Sequence, residues 1–191
     1  LRIRDGFLMV ALVWTVLPIF AALPLMIGLH LSFTDAYFEA VSGLTTTGAT
    51  ILTGLDDLPA SINFWRTQLV WLGGMGLIVL AVAVLPLLGI GGRQLYKAEV
   101  PTPMKDSSLT PRIAETAKGL WLTYVLLTVA CGLCLWWAGL EGWDVVIHAF
   151  SIVGLGGFSN KDASLGHFAN LNVEIVAIVF ALLAGLNYAT H

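Results

Sequence analysis

The sequence predicts an all-α integral membrane protein made of two parallel repeats, each a span, a short half-helix, a glycine-bearing loop and a second span. Three observations predict it. The chain has 191 residues, 58% hydrophobic and 11% charged, where a soluble domain has about 25% charged; its mean hydropathy is +0.87. The charges are clustered, so that Gly6 to Thr34, Thr67 to Gly92 and Gly119 to Leu140 carry none, and each gap fits the roughly 20 residues that cross a bilayer. Finally, "TDAYFEAVSGLTTTGAT" (34–50) falls without gaps on "WDVVIHAFSIVGLGGFS" (143–159) at a shift of 109 residues. Asp35 meets Asp144, Ala40 meets Ala149, Ser42 meets Ser151, Gly48 meets Gly157 and Thr50 meets Ser159.

The first span precedes the first copy. A fourth apolar run, from Ile175 to His191, follows the second. The chain therefore divides into a first repeat at 1–92, a linker at 93–118 and a second, truncated repeat at 119–191. Seven of nine Lys+Arg, namely Arg2, Arg4, Arg93, Lys97, Lys105, Arg112 and Lys118, lie before the first span or in the linker. Basic residues mark the cytoplasmic side, so the N-terminus and the linker are expected there. Thr110-Pro111 suits a cap and first helical turn, with Ile113, Ala117 and Leu120 as a stripe at the membrane surface. The segments 34–60 and 141–172 then face outward, with Asp35, Glu39, Asp56, Asp57, Glu141, Asp144 and Asp162 opposed only by Lys161. Such a vestibule concentrates cations.

The half-helix from Thr34 to Leu44 is too short to cross at about 1.5 Å per residue. Thr34 or Asp35 is its expected N-cap, and Asp144 plays that part in the second copy. The threonines that follow disfavour helix, so the chain returns as an extended loop. Bare backbone at membrane depth is tolerated only where protein or a watery cavity faces it, and a helix C-terminus carries partial negative charge. Carbonyls turned toward an axis replace the water of a dehydrated cation, and glycine permits the positive φ that turns one of them. Thr46-Thr47-Gly48-Ala49-Thr50 fits the potassium-channel filter "TVGYG" as T-x-G-x-x; Leu155-Gly156-Gly157-Phe158-Ser159 keeps the central glycine.

Other features read as structure. Cys131 and Cys134 form a C-x-x-C inside an uncharged span, where a thiolate is disfavoured. The histidines lack metal-ligand spacing, and no nucleophile–base motif points to an enzyme. Glu39 and His148, equivalent on the two half-helices, are expected to hydrogen-bond neighbouring loop. Arg66 is expected at the outer interface, snorkelling or pairing with Asp56 or Asp57. Gly73-Gly74-Met75-Gly76 suits close helix packing.

The stretches "FTDAYFEAVSGLTTTGAT", "WLGGMGLIVLAVAVLPLLGIGG", "QLYKAEVPTPMKDSSLTPRIAETAK" and "GLGGFSNKDAS" resemble the TrkH family, membrane subunits of bacterial Trk potassium uptake systems within the superfamily of K+ transporters. The resemblance implies a potassium-channel-like fold with four repeats around one pore, Gly48 and Gly157 being the first two filter glycines. It implies that Thr46, Thr47 and Gly48, with Leu155, Gly156 and Gly157, supply the K+-facing carbonyls. It also implies a homodimer in the bilayer of the bacterial inner membrane and a cytoplasmic nucleotide-binding partner, TrkA. No cofactor and no nucleic acid is expected. With two repeats where the family has four, the chain is expected to be a fragment that inserts but does not conduct alone. The competing reading is a coupled secondary transporter moving K+ or Na+ with H+; such proteins often use inverted repeats, unlike the parallel copies here.

One expectation tests the orientation. With the native cysteines replaced, Asp57→Cys in intact cells should react with an impermeant thiol reagent and Lys105→Cys should not. The reverse pattern overturns the topology.

Overall fold

The computed structural model describes residues 3–84 and 109–186, with side chains at 8, 10–76 and 118–186. Every regular element among the described residues is a helix and none is a strand: α1 (Ile3–Leu29), α2 (Phe33–Leu44), α3 (Ala60–Val84), α4 (Leu109–Trp137), α5 (Gly142–Val153) and α6 (Leu171–Gly185), plus 3-10 turns at Leu55–Asp57 and Ser164–Phe168. Within α1 and α4, Val10–Leu29 and Lys118–Trp137 are long and apolar enough to span a bilayer, with mean hydropathies of 2.3 and 1.8. Their outward faces are greasy: Phe20 is 62% exposed, Ile27 75% and Leu126 59%, as lipid-facing side chains should be. Most of the expected linker lies outside the described residues. From Leu109 onward, however, the chain is already α4, so Thr110-Pro111 sit inside its first turn and Thr110 is not an external cap. The last helix begins at Leu171, ahead of the expected Ile175, because Asn170 caps it by accepting from the Asn172 N–H at 3.0 Å.

The half-helices α2 and α5 have 12 residues each, about 18 Å, well short of a bilayer's ~30 Å core. The first starts earlier than expected. Ser32, not Thr34 or Asp35, is its N-cap, accepting from the Asp35 N–H at 3.2 Å while its hydroxyl donates to Asp35 Oδ2 at 2.8 Å. The pairing is reciprocal, though the carboxylate accepts from the Ser32 hydroxyl and not from its N–H as in a capping box. In α5 the cap is Glu141, whose side chain makes no capping bond; Asp144 lies in the first turn, where its charge suits the helix dipole.

Each half-helix packs between two longer ones. Ala22, Leu25, Ala36, Ala40, Leu44 and Leu69 form one core; Cys131, Leu135, Ala149, Val153 and Val173 belong to the other. Ala22, Ala36 and Ala40 are fully buried, and side chains this small bring helices close without help from the hydrophobic effect. Cys131 fills the same role; both cysteines are free thiols.

α3 joins the two cores. A Cβ on Gly73 would stand 1.9 Å from the Leu44 carbonyl oxygen at the end of α2. One on Gly74 would stand 3.1 Å from Gly154 Cα, just past the end of α5. Adjacent glycines thus seat the C-termini of both half-helices at one level of α3. The Tyr124 hydroxyl on α4 donates to the Trp71 carbonyl at 2.9 Å, and the Trp71 indole donates to Thr128 Oγ1 at 3.0 Å. Gly73 and Gly74 of the GGMG stretch are packing surface, as expected, while Gly76 faces open space.

Gly73→Ala should therefore overpack the α2–α3 contact and destabilise the protein by about 1–3 kcal/mol. Gly76→Ala, whose Cβ would meet nothing within 4 Å, should be neutral. Melting temperatures in detergent distinguish the two, and equal melting of both variants overturns the assignment.

Candidate functional site

The half-helices end in the same motif. In α2 the Thr45 N–H returns to Val41 O at 2.8 Å, Thr46 N–H to Gly43 O at 3.0 Å and Thr47 N–H to Ser42 O at 2.9 Å. In α5, Gly154 returns to Phe150 at 2.9 Å, Leu155 to Ile152 at 3.1 Å and Gly156 to Ser151 at 3.1 Å. The last two bonds of each set are the paired bonds of a Schellman motif, which needs a left-handed residue just past the helix and usually takes glycine there. Here the residues are Thr46 at φ 55° and Leu155 at φ 56°. For a β-branched threonine this is a strained backbone. Two residues on, Gly48 and Gly157 are left-handed again, at φ 74° and 76°. Two unlike sequences thus trace one backbone path, and Gly48 and Gly157 stand where positive φ is required.

Side chains hold the returning strands. Ser42 Oγ donates to Ala49 O at 2.6 Å. Thr45 Oγ1 donates to Val41 O at 2.8 Å and lies 2.8 Å from Thr47 Oγ1, so the Thr47 hydroxyl is the donor in that pair. Glu39 accepts from Thr50 Oγ1 at 2.8 Å and from the Ile51 N–H at 3.3 Å. At the equivalent place, His148 Nε2 lies 3.0 Å from Ser159 Oγ, with Nδ1 2.7 Å from Asp144 O. Glu39 and His148 are thus braces between half-helix and loop, as expected. Asp144 Oδ1 accepts from Asn160 Nδ2 at 2.6 Å.

Arg66 departs from expectation. It is fully buried, not interfacial, and its partner is Glu39 at 2.7 Å, not Asp56 or Asp57. A guanidinium is too costly to bury alone, and the Glu39 carboxylate inside α2 provides the counter-charge. Two lone opposite charges inside apolar stretches were the available signal for this pairing. Asp56 instead pairs with Lys161 across the two outer loops at 3.4 Å. The Asp162 N–H donates to Asp56 at 3.1 Å, and the Leu55 N–H donates to Asp162 at 3.1 Å. The backbone bond from Asp162, with Lys161 beside it, holds the Asp56 carboxyl below its ordinary range.

The loops meet backbone to backbone: a Cβ on Gly48 would stand 1.8 Å from the Gly156 carbonyl oxygen. On α3, Thr50 and Ser159 lie level with Arg66, seven residues, or about 10 Å, from the Gly73 level of the half-helix ends. Both loops climb back toward the same side, so the repeats are parallel. Within the described residues, none of the carbonyls of Thr46, Thr47, Gly48, Leu155, Gly156 and Gly157 accepts a hydrogen bond, whereas the flanking carbonyls of Ala49 and Ser159 do.

Helices too short to cross a bilayer that turn and return as extended backbone toward the side they started from define a pore-loop membrane protein. The chain belongs to the TrkH family of cation transport proteins, whose family model matches residues 1–191. It is 55% identical over its whole length to "Trk system potassium uptake protein TrkH" of Escherichia coli K12, covering 40% of that protein. It is 50% identical over 98% of its length to TrkG of the same strain, covering 39% of it. The crystal structure of the potassium transporter TrkH from Vibrio parahaemolyticus superposes with a TM-score of 0.85 at 48% identity, over 98% of this chain and 37% of that one. The chain thus spans about 40% of the length of the curated relatives it matches.

The strained helix ends make a direct forecast. Leu155 is exposed and left-handed, so Leu155→Gly should raise the melting temperature, by an amount equivalent to about 1 kcal/mol. A clear loss of stability would show that the Leu155 side chain outweighs the backbone strain.

Proposed function

We propose that the chain carries the first two filter loops of a potassium uptake protein that passes K+ across the bacterial inner membrane. The observation that carries this reading is the pair of matching loops whose six carbonyls, at Thr46, Thr47, Gly48, Leu155, Gly156 and Gly157, are left unclaimed between braced neighbours. A carbonyl that the protein's own donors leave free needs a partner, and a dehydrated K+ supplies one. The half-helix C-termini add partial negative charge beneath the ion. Braced flanks keep the ring from collapsing onto a smaller ion. The names of the relatives, potassium uptake proteins of Trk systems, support K+ as the cargo.

The resemblance extends the reading to the whole protein. The Lys/Arg asymmetry supports a cytoplasmic N-terminus, and the resemblance supports a homodimer that works with a nucleotide-binding TrkA subunit. The protein acts as a transporter, with K+ as cargo and without a cofactor.

The test uses the full-length protein in cells lacking other potassium uptake. Gly48→Ser adds a Cβ at a left-handed φ, costing about 1–2 kcal/mol, and drives it into Gly156 O. It should lower the preference for K+ over Na+ or raise the K+ concentration needed for growth, with membrane insertion intact. Gly157→Ser should act in the same direction through φ. Unchanged ion preference in both variants overturns the filter assignment.

A further inference from the structure

We propose that Arg66 is a positioning residue for ion selectivity: one buried guanidinium that sets the spacing between the two filter loops. The inference rests on the filter reading above. Arg66 Nε donates to Glu39 Oε1 at 2.8 Å, and Nη2 reaches the same oxygen at 2.7 Å and Thr50 Oγ1 at 3.0 Å. Nη1 donates to Asn63 Oδ1 at 3.2 Å and to the Ser159 carbonyl at 3.1 Å. The guanidinium carbon lies 4.5 Å from the centre of the Phe158 ring. One planar group is thus bonded to the first half-helix, the first loop and the second loop at once.

The points of attachment matter. Thr50 and Ser159 are equivalent residues, each two past a filter glycine. A shift of either is felt at Gly48 or Gly157 within two peptide units, where backbone already meets backbone. The second repeat has no arginine of its own, since none stands between Gly119 and His191. A single cation therefore serves both loops. A buried ion pair is a poor source of stability compared with an apolar replacement, whereas a rigid fork of donors is a good gauge of distance. Lysine, a point charge on a flexible stem, cannot hold the partners in one plane.

The full-length protein tests this through ion preference, measured as Rb+ against Na+ uptake at matched membrane abundance and melting temperature. Arg66→Lys should keep uptake and lower the preference about three- to tenfold, the size of one lost hydrogen bond. Thr50→Val, which keeps the shape and removes the hydroxyl, should lower it likewise, and Thr50→Ser should restore it. Should Arg66→Lys fail to reach the membrane, the neutral pair Glu39→Gln with Arg66→Met and the exposed Thr50→Val carry the same expectation. Wild-type preference in Thr50→Val and in whichever Arg66 variant folds overturns the proposal. Gly48→Ser run alongside separates the two readings: if it changes preference and the Arg66 and Thr50 variants do not, only this inference falls; if it too leaves preference unchanged, the filter reading falls.

Discussion

A chain that turns back inside a membrane has to satisfy its own backbone there, and the architecture of both repeats follows from that constraint. Lipid offers no hydrogen bonds at that depth, so an N–H left over at the end of a half-helix turns to the protein or to a watery cavity. The Schellman bonds at Thr46–Thr47 and Leu155–Gly156 take up the first N–H groups of the loop and turn the chain at the same stroke. The geometry requires a left-handed residue, and the chain accepts that strain with Thr46 and Leu155 where glycine would be free of it. The first three N–H groups past each half-helix are taken up, and the carbonyls of Thr46, Thr47, Gly48, Leu155, Gly156 and Gly157 accept no hydrogen bond among the described residues. Carbonyl oxygens left free by the protein are what a cation needs, and they follow the way the helix is closed.

α3 converts two separate turns into one site. Gly73 and Gly74 seat both half-helix ends, and Arg66, two turns of helix away, holds both returning strands. The loops are thus clamped at two levels of one rigid element, below and above the unclaimed carbonyls. Small residues at the lower level give close contact without polar cost, and the charged pair at the upper level gives direction. Outside this clamp, the Asp56–Lys161 pair and the bonds at Asp162 tie the outer loops together, where exposure makes such pairs weak.

Much of the fold was legible because its signals are periodic or compositional. Uncharged stretches marked the spans, and the repeat at 109 residues placed both half-helices and both loops. Glu39 and His148 were readable as braces because equivalent positions on repeated elements do equivalent jobs. What was not legible depends on contacts distant in sequence. Arg66 near the start of a span looks like an interfacial residue; its burial follows from a carboxylate 27 residues earlier and a carbonyl 93 residues later. Ser32, two residues ahead of the expected cap, takes that place because its hydroxyl pairs with both the N–H and the carboxylate of Asp35. The left-handed Thr46 ran against its own propensity, with tertiary closure overriding local preference.

The two repeats also show which features the site requires and which it tolerates. The φ angles at 46 and 155, and at 48 and 157, agree within a few degrees, although threonine matches leucine in one pair. The braces differ entirely in chemistry: carboxylate to hydroxyl in the first repeat, imidazole to hydroxyl in the second. Only the first brace is charged, and only it needs a buried cation to neutralise it. Once Arg66 is there, its spare donors reach across to Ser159, so the asymmetry of the braces supplies the link between the loops. A pore of repeated loops gains its common geometry from the backbone, and the connection between neighbouring loops from the places where the repeats differ.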